Sequence, residues 1–270
     1  PDETLQVAQD LYERKLTTYP RTDARVLSSA VAKEISKNIR GLRSFEPVAP
    51  FVQNIVEHGL YKNIGKSSYT DDSKITDHYA IIPTGQVNEY KSLTELQKRV
   101  YELIVRRFLS IFYPPAQYQT VKLTIGIEKE SFFAGAKVLK VPGYLEIAGR
   151  PDIKEKREKE DGDGEENNPK NSAALLKLAD SLKEGDTAEV KEFLVKEGKT
   201  SPPKRYTSGS MVLAMENAGQ LIEEEELREQ IKGSGIGTSA TRAEIIKKLV
   251  RIGYLALNKK TQVLTPEALG

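Results

Sequence analysis

The sequence predicts a multidomain α+β protein. Apolar residues recur at helical spacing over much of residues 1–90, the period drops to two near residue 120, and helical spacing returns after residue 206. With 270 residues, 38% of them hydrophobic, the chain can bury a sizeable core, and its length suggests about two domains.

The elements follow in order. Leu5, Ala8, Leu11, Tyr12 and Leu16 mark a first helix with Asp2 as its cap, stopping before Thr17-Thr18-Tyr19-Pro20, where β-branching and a proline break it. Ser28 or Ser29 caps a second helix that runs to about Ile39 and ends at Gly41. Tyr19 therefore stands on a short connection between two helices. Ser92-Leu93-Thr94-Glu95 reads as a capping box for a helix over 92–113, with Leu96, Val100, Leu103, Ile104, Phe108, Ile111 and Phe112 as its apolar stripe. Val121, Leu123, Ile125 and Ile127 then alternate with polar residues, a turn falls near Glu130, and Phe132, Phe133, Val138 and Val141 mark the return strand. Ala188 to Val195 reads as one more strand, so this segment is antiparallel β. Lys154 to Asn171 has almost nothing apolar and is expected to be a solvated loop. Glu223 to Glu226 reads as a solvated acidic face. Met211 to Ala218, a helix carrying Ile245, Ile246, Leu249 and Val250, and a hairpin turning at Asn258-Lys259-Lys260-Thr261 resemble a winged-helix unit.

Composition removes several classes of function. A net charge of +2 offers no global field for nucleic acid, so any such binding rests on local patches. There is no cysteine, which excludes disulfides and cysteine-based zinc sites within these 270 residues, and two histidines, His58 and His78, make a histidine-rich metal site a poor expectation. No apolar run reaches the ~20 residues of a membrane span. The start, Pro1-Asp2-Glu3-Thr4, lacks an initiator methionine and is no signal peptide, so the chain is expected to begin inside a longer, soluble intracellular protein.

The chemistry concentrates in Thr18-Tyr19-Pro20-Arg21-Thr22-Asp23-Ala24. A phenol titrates near pH 10 and needs positive charge beside it to attack. Arg21 keeps its proton and matches phosphate oxygens with a planar fork. Together they suit attack on a phosphodiester, leaving a phosphotyrosine ester. Alone, Tyr-Pro-Arg is also an ordinary turn. Gly233-Ser234-Gly235-Ile236-Gly237-Thr238-Ser239-Ala240-Thr241-Arg242 fits neither the P-loop nor the dinucleotide fingerprint. It does deliver Thr238 and Thr241 to a helix N-terminus, which favours an anion, although Thr241 with Glu244 reads equally as a capping box. His78, a lone histidine, is structural or solvated unless a phosphodiester lies beside it, where it could donate a hydrogen bond or move a proton.

Three segments together resemble one family. Leu16-Thr17-Thr18-Tyr19-Pro20-Arg21-Thr22-Asp23 is similar to the active-site tyrosine motif of type IA DNA topoisomerases, closest to the bacterial topoisomerase III branch. His78-Tyr79-Ala80-Ile81-Ile82-Pro83-Thr84 resembles their HxAIxPT motif. Gly235 to Ala243, preceded by Pro202 to Thr207, resembles GIGTPATRA. Order and spacing agree over nearly the whole chain. Ala24 and Ser239 stand where serine and proline are frequent, and Ser208-Gly209 replaces the usual Glu-Ala.

The resemblance implies a type IA topoisomerase core: a helical tyrosine-bearing domain at 1–87, an antiparallel β arch at 88–205 and a winged-helix-like part of the DNA-gripping base at 206–270, within a torus that admits DNA. Tyr19 would be the nucleophile forming a 5′-phosphotyrosyl link, Arg21 would stabilise phosphate charge, and His78 would assist. Asp23, Thr238, Thr241 and Arg242 would bind the single-stranded DNA, Thr241 and Arg242 by contacting its backbone. The Toprim domain with its magnesium ligands is not in this sequence, so Mg2+ is expected only in the full-length parent and no metal in this chain. The parent is expected to be a monomeric bacterial, cytoplasmic and nucleoid-associated enzyme without membrane attachment, and the isolated 270 residues are expected not to relax DNA. The competing reading is a non-catalytic single-stranded nucleic-acid binding module, which a phenol buried against its own core would favour. A third, a nucleotide-binding enzyme, lacks its phosphate loop.

Overall fold

In the computed structural model, which describes residues 2–149, 169–187, 189–195, 197–221, 225, 227–228 and 235–270, contacts group the chain into two units. Pro1–Phe112 and Pro203–Gly270 form one, Tyr113–Pro202 the other.

Helix α1 (Asp2–Glu13) buries Val7 and Leu11 and packs on α4 (Glu95–Ser110). Asp2, expected as its cap, is its first helical residue. The exit is tight: Lys15 N donates to Tyr12 O at 2.8 Å and Leu16 N to Leu11 O at 2.9 Å. That bond pattern places Lys15 at φ 60°, a position glycine usually fills. Helix α2 (Ser29–Gly41) begins at Ser28, whose hydroxyl accepts from Val31 N, and buries Ala32, Ile35 and Ile39. Gly41 is its last residue rather than a left-handed stop. Helix α3 (Ala49–Glu57) adds Val52 and Ile55 to a core with Leu11, Leu16, Leu27, Leu42, Val48, Tyr101 and Leu109. Residues 58–94 carry only short 3₁₀ turns, less helix than the sequence suggested.

Two expectations for α4 are corrected. Its capping box is Thr94 with Gln97, two residues later than expected. Its buried face is Tyr101, Val105, Phe108 and Leu109, while Leu96 and Leu103 are exposed. A polar-headed tyrosine belongs to the core because its hydroxyl donates to Gln86 O at 3.4 Å, its ring meets Phe45 and Tyr90, and burial pushes its phenol well above the ordinary range.

In the second unit β1 (Gln117–Ile127) and β2 (Glu130–Val141) pair antiparallel, with Ile127 opposite Glu130. The turn sits at Glu128-Lys129, Glu128 adopting φ 54°. Helix α5 (Leu145–Ala148) is one turn, and helix α6 (Pro169–Ser181) packs on β2. Pro169 opens that helix, where its missing N–H costs nothing. So 169–171, expected as the end of a loop, are helical, and the rest of that stretch, 154–168, lies outside the described residues. The strand expected at 188–195 is not formed over 189–195. Phe193 instead meets the Phe132 ring at 6.0 Å, and Ala188 lies outside the described residues.

Returning to the first unit, α7 (Ser208–Glu216) starts at Thr207, which forms a capping box with Ser210. The Ser208-Gly209 departure therefore leaves the helix start intact. Helix α8 (Arg242–Arg251) closes with Gly253 N donating to Val250 O and Tyr254 N to Leu249 O, Gly253 at φ 80°. Strands β3 (Leu255–Leu257) and β4 (Leu264–Pro266) form the hairpin, and Asn258 Oδ1 accepts from Lys260 N and Thr261 N in its turn. Met215, Ile246 and Leu264 make the local core. The acidic block is described only at Glu225, and Gly233 and Ser234 lie outside the described residues.

Candidate active site

Backbone pairing places Tyr19. Thr17 bridges antiparallel to Pro83, Thr18 N donates to Ile82 O at 2.9 Å and Thr84 N to Leu16 O at 3.0 Å. Threonine hydroxyls reinforce the seam. Thr18 Oγ1 accepts from Ile82 N at 2.9 Å, and Thr84 Oγ1 donates to Lys15 O at 2.6 Å. Beyond the tyrosine, Thr22 Oγ1 donates to His78 O at 2.7 Å and Ala80 N to Val26 O at 2.9 Å. The segments around 16–26 and 78–84 thus hold each other on both sides of Tyr19. Helix α2 fixes the second of them, since Asn38 Nδ2 donates to Pro83 O at 2.9 Å.

Tyr19 is half-buried, and Pro20 after it is buried. Its ring centre lies 4.5 Å from that of His78, tilted by 46°, and 5.3 Å from that of Tyr12, nearly edge to face at 81°. Among the described residues its hydroxyl meets no hydrogen-bond partner, and neither does the exposed guanidinium of Arg21. The exposed His78 is held by its backbone carbonyl and its ring. A phenol with an unclaimed hydroxyl, an imidazole in ring contact and an unpaired guanidinium two residues on can receive an anionic group.

The glycine-rich segment reaches the same part of the first unit. Gly235 fits because a Cβ there would lie 2.6 Å from Met215 O, and Ile236 N donates to that same oxygen at 2.8 Å. Arg242, 7% exposed, donates to Ile236 O and Gly237 O, both at 3.2 Å, and its third nitrogen is 3.6 Å from Asp23 Oδ1. The two expected DNA-path residues Asp23 and Arg242 are therefore brought to each other. Thr238 and Thr241 are exposed with hydroxyls 3.1 Å apart. Thr241 does not form the expected capping box with Glu244: its Oγ1 accepts from Thr238 N at 2.8 Å, three residues upstream, and makes no cap bond to α8.

Other contacts around these residues had no local signal. Arg25 Nη2 donates to both carboxylate oxygens of Glu216, at 2.8 and 2.9 Å, across 191 residues. Lys247 pairs with Asp2 at 3.3 Å. Tyr12 was readable only as a helical apolar residue. Among the described residues no group of three or more His, Asp or Glu is placed to hold a metal ion, so no metal chemistry is assigned to them.

The fold is that of a type IA DNA topoisomerase. It aligns with the full-length topoisomerase I structure from Thermotoga maritima at a TM-score of 0.51 and 22% identity, over 98% of this chain and 36% of that one. The family model described as DNA topoisomerase matches residues 1–270, and the chain belongs to that family. DNA topoisomerase 3 of Bacillus licheniformis is 36% identical over 251 residues, which is 92% of this chain and 32% of that protein. DNA topoisomerase 3 of Bacillus subtilis is 34% identical over the same shares. The chain spans about a third of the length of these curated relatives.

Proposed function

We propose that this chain carries the nucleophile and part of the strand-binding surface of a type IA topoisomerase that cuts one DNA strand, passes another and rejoins the cut. Tyr19 Oη attacks the scissile phosphorus and gives up its proton. The bond from phosphorus to the 3′ oxygen breaks, and that oxygen leaves as a 3′ hydroxyl. The 5′ phosphate stays esterified to Tyr19. Attack by the 3′ hydroxyl on the same phosphorus restores the phosphodiester and frees the phenol, so the cycle needs no water and no ATP.

The observation that carries this reading is the free hydroxyl of a half-buried Tyr19, fixed by backbone pairing on both flanks with its ring against His78. In the competing binding-module reading that phenol would be buried against its own core. Arg21 neutralises charge on the non-bridging oxygens, and His78 hydrogen-bonds the phosphate or relays a proton. Thr238 and Thr241 offer hydroxyls to the strand backbone, with Asp23 and Arg242 beside that path. Residues 1–87 act as the tyrosine-bearing domain, 88–205 as the arch and 206–270 as part of the base, and α4 packs with the tyrosine-bearing helices.

The metal belongs elsewhere in this reading. Its ligands and the acid–base groups that accompany it are assigned, on the family resemblance, to the Toprim domain of the full-length parent. The enzyme works as a monomer on single-stranded DNA in the bacterial cytoplasm, at the nucleoid.

Two measurements test this. The purified 270-residue chain should leave negatively supercoiled DNA unrelaxed while binding single-stranded oligonucleotides weakly and salt-dependently. Relaxation by this chain alone would overturn the claim that it lacks essential groups. In the full-length enzyme Tyr19→Phe should abolish the covalent DNA adduct and leave strand binding intact. An adduct that persists moves the nucleophile elsewhere.

A further inference from the structure

We propose that Tyr12 is a positioning residue for Tyr19, holding the nucleophile's ring against His78 so that its hydroxyl stays aimed at incoming phosphate. The proposal rests on Tyr19 being the nucleophile.

Three features single out Tyr12. It follows Leu11, which is wholly buried, yet is itself 40% exposed, so it contributes little to the core. Its ring lies nearly perpendicular to that of Tyr19 at 5.3 Å, with His78 the other ring against Tyr19 at 4.5 Å. The phenol thus has two aromatic neighbours and, among the described residues, no hydrogen bond to hold its tip. Without the Tyr12 ring, one of the two rings packed against the Tyr19 side chain is lost, and the restraint on its χ1 is weaker.

The backbone next to Tyr12 is held in an uncommon way. Its carbonyl accepts from Lys15 N at 2.8 Å, and Lys15 sits at φ 60°, which a non-glycine residue rarely adopts. Thr84 of the His78 segment fixes that turn by donating to Lys15 O at 2.6 Å. The same seam therefore sets both rings that flank Tyr19.

Edge-to-face contact is worth the free energy of roughly a two- to tenfold change in rate. Tyr12→Leu in the full-length enzyme should slow single-turnover adduct formation about two- to tenfold. Strand affinity should stay within about twofold, and the thermal midpoint should fall by no more than about 2–4 °C, the share of stability that one ring contact carries. Tyr12→Phe keeps the ring and should restore the rate to within about twofold.

A spectroscopic arm reads the geometry without activity. In the 270-residue chain with ¹³C-labelled tyrosine rings, the Tyr19 signals are identified by their loss in Tyr19→Phe. Their NOE to the His78 ring should weaken in Tyr12→Leu and persist in Tyr12→Phe. Wild-type adduct rates in Tyr12→Leu, an undiminished Tyr19–His78 NOE in that variant, or failure of Tyr12→Phe to rescue would each overturn the proposal. An adduct that survives Tyr19→Phe would instead overturn the assignment of the nucleophile.

Discussion

Gly41→Ala separates two opposed effects at one position. Gly41 ends α2 with helical dihedrals, φ −62° and ψ −25°, so helix propensity alone predicts that alanine stabilises by about 0.5–1 kcal/mol. A Cβ at Gly41, however, would lie 2.7 Å from Gly85 Cα and 2.8 Å from Gly85 C, and would also strike Gly85 O. Ordinary carbon contacts are about 3.5–4.0 Å, so the backbone must part by about 1 Å. The obstacle is backbone, which cannot swing aside as a side chain would, and such overpacking costs about 1–3 kcal/mol. The cost wins, giving a net loss of about 1 kcal/mol and a fall in Tm of about 2–4 °C. Gly85 follows Thr84 and Pro83, which pair with Leu16 and Thr17, so the displacement also loosens the seam under Tyr19. Differential scanning calorimetry of the wild-type and variant chains measures the shift. A rise in Tm would show that the α2–Gly85 contact is not tight and would refute the reasoning.

Three other substitutions follow from single observations. Thr17 is 2% exposed and, among the described residues, its hydroxyl meets no partner. Thr17→Val should therefore stabilise by about 1 kcal/mol, and a lower Tm would reveal a bond to that hydroxyl. Lys15→Gly relieves the left-handed φ of 60°, a gain partly offset by the unfolded chain's extra freedom. About 0.5 kcal/mol of net stabilisation is expected by denaturant melts, and a loss would show that the turn is not strained. Asp72 is held below the ordinary carboxylate range first by the Ser29 hydroxyl and then by Ser29 N–H at the start of α2. Because its folded pKa is depressed, its contribution is complete above the unfolded value near about 4 and is lost as pH falls through the folded value. Carboxyl NMR should place the Asp72 midpoint below that of an unperturbed aspartate, and Asp72→Asn should abolish the acid-induced loss of protection at Ser29. A midpoint at or above the unperturbed value would contradict this.

Local signals served where burial follows period. The start of α2 at Ser28, the half-buried Val121, Leu123 and Ile127 of β1 and the Asn258 turn follow from capping, spacing and turn chemistry, whereas Ile125, Phe132, Phe133 and Val141 of the same hairpin are exposed. Spacing misled at α4, where Leu96 and Leu103 are exposed and Tyr101 lies inside because a backbone carbonyl satisfies its hydroxyl. It misled again at 189–195, where a β-prone run has no strand partner. For the site, Tyr19, Arg21 and His78 carried chemical signals of their own, and resemblance put them in order. What brings the parts together is long-range: Thr22 to His78, Arg242 to Asp23 and Arg25 to Glu216 link residues 56 to 219 apart in sequence. No local pattern announces such pairs. Arg242 shows the difference most clearly. Motif order names it as a DNA contact, and its burial and its bonds to Ile236 O and Gly237 O also tie the glycine-rich segment to Asp23.

The central claim is that Tyr19 becomes covalently joined to the 5′ end of a cut strand. The most direct measurement traps the adduct of the full-length enzyme on a labelled single-stranded oligonucleotide, digests it and locates the nucleotide-bearing peptide by mass spectrometry. A phosphodiester-linked nucleotide on Tyr19, absent in Tyr19→Phe, is the expected result. A nucleotide on any other residue, or at a 3′ end, would contradict it.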